Sequence, residues 1–275
     1  MTTKPTVFTP NSAIATAVHP SPNIEPRRGG RPPNILLLHY TGMRSGPLAV
    51  DYLARPDAKV SCHYVVDTDG TVTQMVAESM RAWHAGVSSW HGETDINSLS
   101  IGIEIQNPGH EMGYHDFPEA QMRAVIALCQ DIVTRNAIPP ERVLAHSDVT
   151  PMRKIDPGEK FNWQRLHRAH VGAWVKPSPP HDDDLGLGPN LESETPAPPQ
   201  ACIAAAQRLL HRYGYDVPCS GIYCEVTLKT VAAFQRHFRP ARVDGCLDLS
   251  TLATLERLLA AYPTPVAAAA PTAIA

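Results

Sequence analysis

The sequence predicts an α/β domain with a mixed central sheet flanked by helices, followed by a small C-terminal all-α helical bundle. Short apolar runs of strand length recur between residues 34 and 146. One long segment, residues 118–136, keeps apolar side chains at helical spacing. Beyond residue 200 the chain repeats a pattern of its own, a glycine followed by a short helical stretch.

The elements follow in order. Residues 1–30 are rich in proline and glycine, lack periodicity and are read as an extended lead-in. Residues 31–175 are expected to hold the α/β domain. "NILLLHY" (34–40) is a strand, and "HYVVDTDGTVTQMV" (63–76) is a pair of strands about an Asp69-Gly70 turn. "SIGIEI" (100–105) and "RVLAH" (142–146) are further strands. In "PEAQMRAVIALCQDIVTRN" the apolar residues Met122, Val125, Ile126, Leu128, Cys129, Ile132 and Val133 mark one helix face, with Pro118 and Glu119 suited to its first turn. Residues 176–200, rich in proline and acidic residues, cannot bury a core and are read as a linker. Residues 201–262 are expected to form the bundle. There "CIAAAQRLLHRYGY" precedes two half-repeats, "GIYCEVTLKTVAAF" and "GCLDLSTLATLERL", with Thr227 and Thr251 as the expected N-caps. The Ala/Pro tail, 263–275, is expected to be disordered.

A formal charge of -3 and a pI near 6.5 give no general attraction for nucleic acid or an anionic membrane. None of the six cysteines forms a C-x-x-C, which argues against a zinc ribbon or a thioredoxin-like motif; Cys62 and Cys129 are read as small core residues. No stretch is long and apolar enough to span a bilayer, and residues 1–20 lack the apolar core of a secretory signal. The expectation is a cytoplasmic monomer with reduced thiols, a periplasmic protein being the alternative.

The chemistry gathers at strand ends. "ILLLH" ends in His39, "RVLAH" ends in His146, and "IGIEI" places Glu104 among isoleucines. Ionisable groups in such strands are costly unless paired, hydrogen-bonded or bound to metal. The loop after His146 adds Asp148, Lys154 and Asp156, and both aspartates are eligible as ligands. Two histidines and one aspartate are the donor set of a catalytic zinc, which leaves a position open for water. Glu104 is then the candidate base, and Lys154 the cation facing a developing oxyanion. Such a set reads as hydrolysis of an amide or ester.

The motifs "LLLHYTG", "SCHYVVDTDGTV", "WHAG", "NSLSIGIEIQN" and "AHSDVTPMRKIDPG" before "FNW" resemble, in order, those of the type 2 N-acetylmuramoyl-L-alanine amidases. This zinc family includes AmpD and AmiD amidases, phage amidases and peptidoglycan recognition proteins. The resemblance implies zinc on His39, His146 and Asp156, acid/base chemistry at Glu104 and transition-state stabilisation by Lys154. The implied reaction cleaves the amide between N-acetylmuramic acid, or its anhydro form, and L-alanine in peptidoglycan or muropeptides. Trp83, His84 and Asn97 are candidate substrate contacts, against a packed aromatic beside a hydrogen-bonded histidine and a loop-ordering asparagine. Asp148 is left to hydrogen-bond nearby backbone or to back a ligand, and His63 is read as structural rather than as a fourth ligand. Residues 201–262 resemble a peptidoglycan-binding module, departing from it at Ser220, where the first half usually has Asp before Gly. The rival readings are a non-catalytic peptidoglycan sensor and a phage-type lytic amidase.

Overall fold

The computed structural model describes residues 8–180 and 200–263. The expected linker lies mostly outside the described residues, as does the tail from residue 264.

In chain order the strands are β1 (Ala17–Val18), β2 (Ile24–Pro26), β3 (Ile35–Tyr40), β4 (Tyr64–Val66), β5 (Val72–Gln74), β6 (Met80–Ala82), β7 (Ser100–Ile105) and β8 (Val143–Ala145). The helices are α1 (Gly46–Leu53), α2 (Ile96–Leu99), α3 (Glu119–Asn136), α4 (His146–Val149), α5 (Trp163–Arg168), α6 (Gln200–Tyr213), α7 (Glu225–Phe238) and α8 (Leu249–Ala261). Six strands form a mixed sheet in the order β1-β5-β4-β7-β3-β8. The expected hairpin is the antiparallel β4–β5 pair, while β4, β7, β3 and β8 run parallel. The α/β sheet and the C-terminal helices are those the sequence predicts.

Register does the positioning. His39 on β3 lies opposite Glu104 on β7, and Leu38 lies opposite Ala145 on β8. His39, Glu104 and His146 therefore reach the same edge, at the carboxyl ends of neighbouring parallel strands. Alternation along β7 sorts its residues by face. Ile101, Ile103 and Ile105 join the core with Met122, Val125, Leu128, Cys129 and Ile132 of α3. Ser100, Gly102 and Glu104 occupy the other face, where small and polar side chains leave room.

The lead-in is more structured than its composition suggests. β1 pairs with β5 and β2 with β6, and the Arg27 guanidinium donates to the carbonyls of Glu78, Ser98 and Ser100 at 2.8–3.0 Å. "RVLAH" is strand only through Ala145, because His146 begins α4.

The C-terminal repeat has a hydrogen-bonded basis. Gln207 Oε1 accepts from Gly221 N–H while its amide donates to Ile222 O and Thr227 Oγ1. Gln235 repeats this with Gly245 N–H, Cys246 O and Thr251 Oγ1. The expected N-caps need correction: α7 and α8 are capped at Cys224 and Asp248. Asp248 Oδ1 accepts from Thr251 N–H at 2.6 Å, so each threonine sits inside the first turn with its hydroxyl spent on the buried glutamine. Ser220 keeps the turn despite departing from the module's pattern. Its hydroxyl accepts from Ile222 N–H as Asp244 Oδ1 accepts from Cys246 N–H.

The two patterned regions share one apolar core. Ile35, Leu37 and Leu144 of the sheet and Trp90, Val149 and Val175 cluster with Leu210, Tyr213, Tyr215, Phe234 and Phe238. Gln235→Leu should orphan the buried N–H of Gly245, at about 1–3 kcal/mol for the unsatisfied group, and release the more exposed N–H of Asp244. A lower urea-unfolding midpoint at unchanged slope is the expected result.

Candidate metal centre

The centre is assembled from two strand ends and one returning loop. α4 is a single turn, after which Arg153 and Lys154 donate backbone N–H groups to Thr150 O. Ser147 N–H then donates to Asp156 O at 3.0 Å, drawing Asp156 back beside His146. Pro157 O accepts from Tyr114 Oη at 2.7 Å. Gly158 has φ +85°, and a Cβ there would lie 2.3 Å from the Tyr114 hydroxyl, so this close turn requires glycine.

His39 Nδ1, His146 Nδ1 and Asp156 Oδ2 face one another at 2.9 Å (His–His), 3.0 Å (His146–Asp156) and 3.2 Å (His39–Asp156). All three residues are buried, and they form the cluster able to hold a metal ion among the described residues.

The hydrogen-bond network fixes the protons. His146 Nε2 lies 3.2 Å from Ala85 O, a pure acceptor, so Nε2 carries the proton and Nδ1 a lone pair. Ser100 Oγ spends its hydrogen on Ile96 O, so it accepts from His84 Nε2–H. His84 Nδ1 then accepts from His39 Nε2–H at 3.0 Å, leaving His39 Nδ1 unprotonated as well. Two nitrogen lone pairs and a carboxylate oxygen thus converge with no proton between them. Ligands about 2.0 Å from a tetrahedral metal lie about 3.3 Å apart, close to the observed separations. The residues fit a cation such as zinc.

The electrostatics agree. Desolvation, reinforced by His146, pushes the His39 imidazole down to about 4. Desolvation and then His39 push His84 well below the ordinary histidine value. Burial alone would raise the Asp156 carboxyl, but the neighbouring imidazoles, His146 first and then His39, hold it below the usual carboxylate range. At neutral pH His39 is a neutral imidazole and Asp156 a carboxylate, the protonation a divalent ion requires of them.

A cavity of about 640 Å³ opens over the trio, with Glu104, Lys154, Trp83 and His84 among its lining residues. Glu104 Oε2 is buried without a hydrogen-bond partner among the described residues. Desolvation and then Asp156 push the Glu104 carboxyl well above its ordinary value, with Lys154 opposing. Asn97 is not among the cavity lining; its Oδ1 accepts from the N–H groups of His84 and Ala85 and so shapes the "WHAG" loop. His63 is fully engaged away from the trio. Its Nδ1 accepts from Gly102 N–H and its Nε2 donates to Met80 O.

Sequence reasoning missed the groups behind the candidate ligands. Ala85 acts through its carbonyl, which no side-chain motif announces. Ser100 and Gly102 were visible as the small alternate residues of "SIGIEI". A Cβ on Gly102 would lie 2.5 Å from His84 Nδ1. Gly102→Ala should displace His84, release the His39 tautomer and weaken metal affinity by about 10–100-fold, measurable by competition with a chromogenic chelator.

Over residues 29–159 the chain matches the family described as N-acetylmuramoyl-L-alanine amidase, and over residues 201–255 the one described as "Putative peptidoglycan binding domain". It is 36% identical over 240 residues to N-acetylmuramoyl-L-alanine amidase AmiD of Escherichia coli (strain K12), with 83% of each chain covered. It is 31% identical over 175 residues to 1,6-anhydro-N-acetylmuramyl-L-alanine amidase AmpD of Enterobacter cloacae, covering 57% of this chain and 91% of that one. The structure of E. coli AmiD with anhydro-N-acetylmuramic acid-L-Ala-D-gamma-Glu-L-Lys superposes with a TM-score of 0.69 at 33% identity, covering 86% of this chain and 93% of that one. Pseudomonas aeruginosa AmpDh3 with anhydromuramic pentapeptide gives 0.70 at 31% identity, covering 86% and 95%.

Proposed function

Because the chain belongs to the N-acetylmuramoyl-L-alanine amidase family, we propose that it is a zinc enzyme hydrolysing the amide between N-acetylmuramic acid, or its anhydro form, and L-alanine. The observation that carries the reading is the trio of facing lone pairs at His39, His146 and Asp156, with Glu104 and Lys154 in the same cavity. The anhydromuropeptides bound in the two similar structures support a muropeptide substrate. The match over residues 201–255 supports a peptidoglycan-binding role for the 201–262 unit and a catalytic role for 31–175. Among the described residues no helix is long and apolar enough to cross a membrane.

In this proposal His39, His146 and Asp156 hold the metal. When bound, zinc supplies Lewis acidity, acidifying water and polarising a carbonyl, and its charge favours the carboxylate form of Glu104. The Glu104 carboxylate takes a proton from the attacking water and passes it to the departing nitrogen of L-alanine. The Lys154 ammonium faces the carbonyl oxygen as negative charge develops there. Trp83 offers the muropeptide an apolar wall. His84 lies at the same wall and holds His39 from behind, while Asn97 fixes the loop that carries both.

His146→Ala should lose zinc and turnover together. Glu104→Gln should keep zinc, read by metal analysis, and lose turnover by about 10²–10⁴-fold, read as stem peptide released from soluble anhydromuropeptide. Full turnover from a folded, metal-free sample would overturn the zinc assignment. Muropeptide binding without release of stem peptide from the wild-type chain would overturn the enzymatic one.

A further inference from the structure

Asp148 lies two residues after His146, yet its carboxylate turns away from the trio. It is 1% exposed. Oδ2 accepts from Ala145 N–H at 2.8 Å, bonding the residue that leads into His146. The same Oδ2 accepts from His237 Nδ1–H at 2.7 Å, and Oδ1 accepts from Tyr215 Oη–H at 2.7 Å. His237 belongs to α7, and Tyr215 follows α6, so both donors come from the C-terminal helical unit. Both are buried and held by rings. His237 is stacked between Trp163, at 3.7 Å, and Phe238, at 3.9 Å, and Tyr215 meets Trp90 edge-on at 5.1 Å.

We propose that His237 and Tyr215 are positioning residues for the metal centre, acting from the C-terminal unit through Asp148 on the backbone that carries His146. This rests on the reading of His39, His146 and Asp156 as metal ligands. α4 is one turn long, bordered on one side by the ligand trio and on the other by these two donors. A buried carboxylate with three donors holds its place. Removing one donor leaves charge less compensated and frees the turn to shift, and ligand orientation is the property most sensitive to such a shift. The C-terminal unit on this account completes the hydrolytic site besides contacting the wall.

The test measures zinc affinity by chelator competition, kcat and KM on soluble anhydromuropeptide, and thermal melting, all on the full chain. Tyr215→Phe deletes one hydroxyl without changing shape. His237→Leu removes the donor, and His237→Asn restores an N–H near the Nδ1 position. Tyr223→Phe is the control, since that hydroxyl donates to Gly245 O within the C-terminal unit and does not touch Asp148. Tyr215→Phe and His237→Leu are expected to weaken zinc binding by about tenfold or more and to lower kcat with KM little changed. His237→Asn should recover part of the loss, and Tyr223→Phe should bind zinc as the wild type does. Wild-type zinc affinity and kcat in folded Tyr215→Phe would overturn the proposal, and so would an equal loss in Tyr223→Phe. Should the wild-type chain itself bind no zinc, the assignment of the ligands fails instead, and the two failures are distinct.

Discussion

Two imidazole nitrogens and a carboxylate oxygen that present lone pairs to one another within 3.2 Å, at the buried floor of a cavity, repel unless a cation lies among them. Much of the molecule serves to maintain that arrangement. The parallel register of β3 with β7 and β8 brings His39 to the edge where His146 begins α4. The bond from Ser147 N–H to Asp156 O returns the loop with its carboxylate. The run from His39 through His84 and Ser100 to Ile96 O holds one imidazole in the tautomer that exposes Nδ1, and Ala85 O does the same for the other. Glu104 stands in the same cavity with its Oε2 unpartnered among the described residues, as the proposed proton carrier would.

The residues that converge at this edge were legible because ionisable side chains in apolar strands break an otherwise regular pattern. His39 after three leucines and Glu104 between isoleucines each demand compensation, and the sheet brings the two demands to one edge. The α3 helix was equally legible, since a long 3.6-residue period has few alternative explanations. β1 and β2 were not. Two- and three-residue strands carry no alternation, and their partners are distant in sequence: β1 bonds to β5, and Arg27 beside β2 meets carbonyls some 50 to 70 residues away. The proton network was invisible for a similar reason, because a backbone carbonyl such as that of Ala85 leaves no mark in composition. Thr227 and Thr251 misled because threonine suits an N-cap and also suits a buried first turn; the glutamine one helix earlier decides between them.

The Pro/acidic segment suggests two independent bodies, whereas the apolar residues on either side of it form one cluster. Trp90 explains how this arises. Read along the chain it is an isolated aromatic after "WHAG", yet it packs against Tyr213 and Tyr215, and His91 N–H donates to Gly214 O. A junction that buries aromatic rings and a hydrogen-bonded carboxylate on both sides resembles the interior of one domain more than a contact between tethered modules. Removing residues 201–262 would expose Trp90, Val149 and Val175 and leave Asp148 without two of its three donors. A truncation therefore cannot by itself separate the proposed wall binding from hydrolysis, because it alters the core beneath the candidate metal centre. Ile222 and Leu249 are exposed, and substitution there spares the shared core. Changes at those positions isolate what the C-terminal unit does at its outer surface from what it does behind His146.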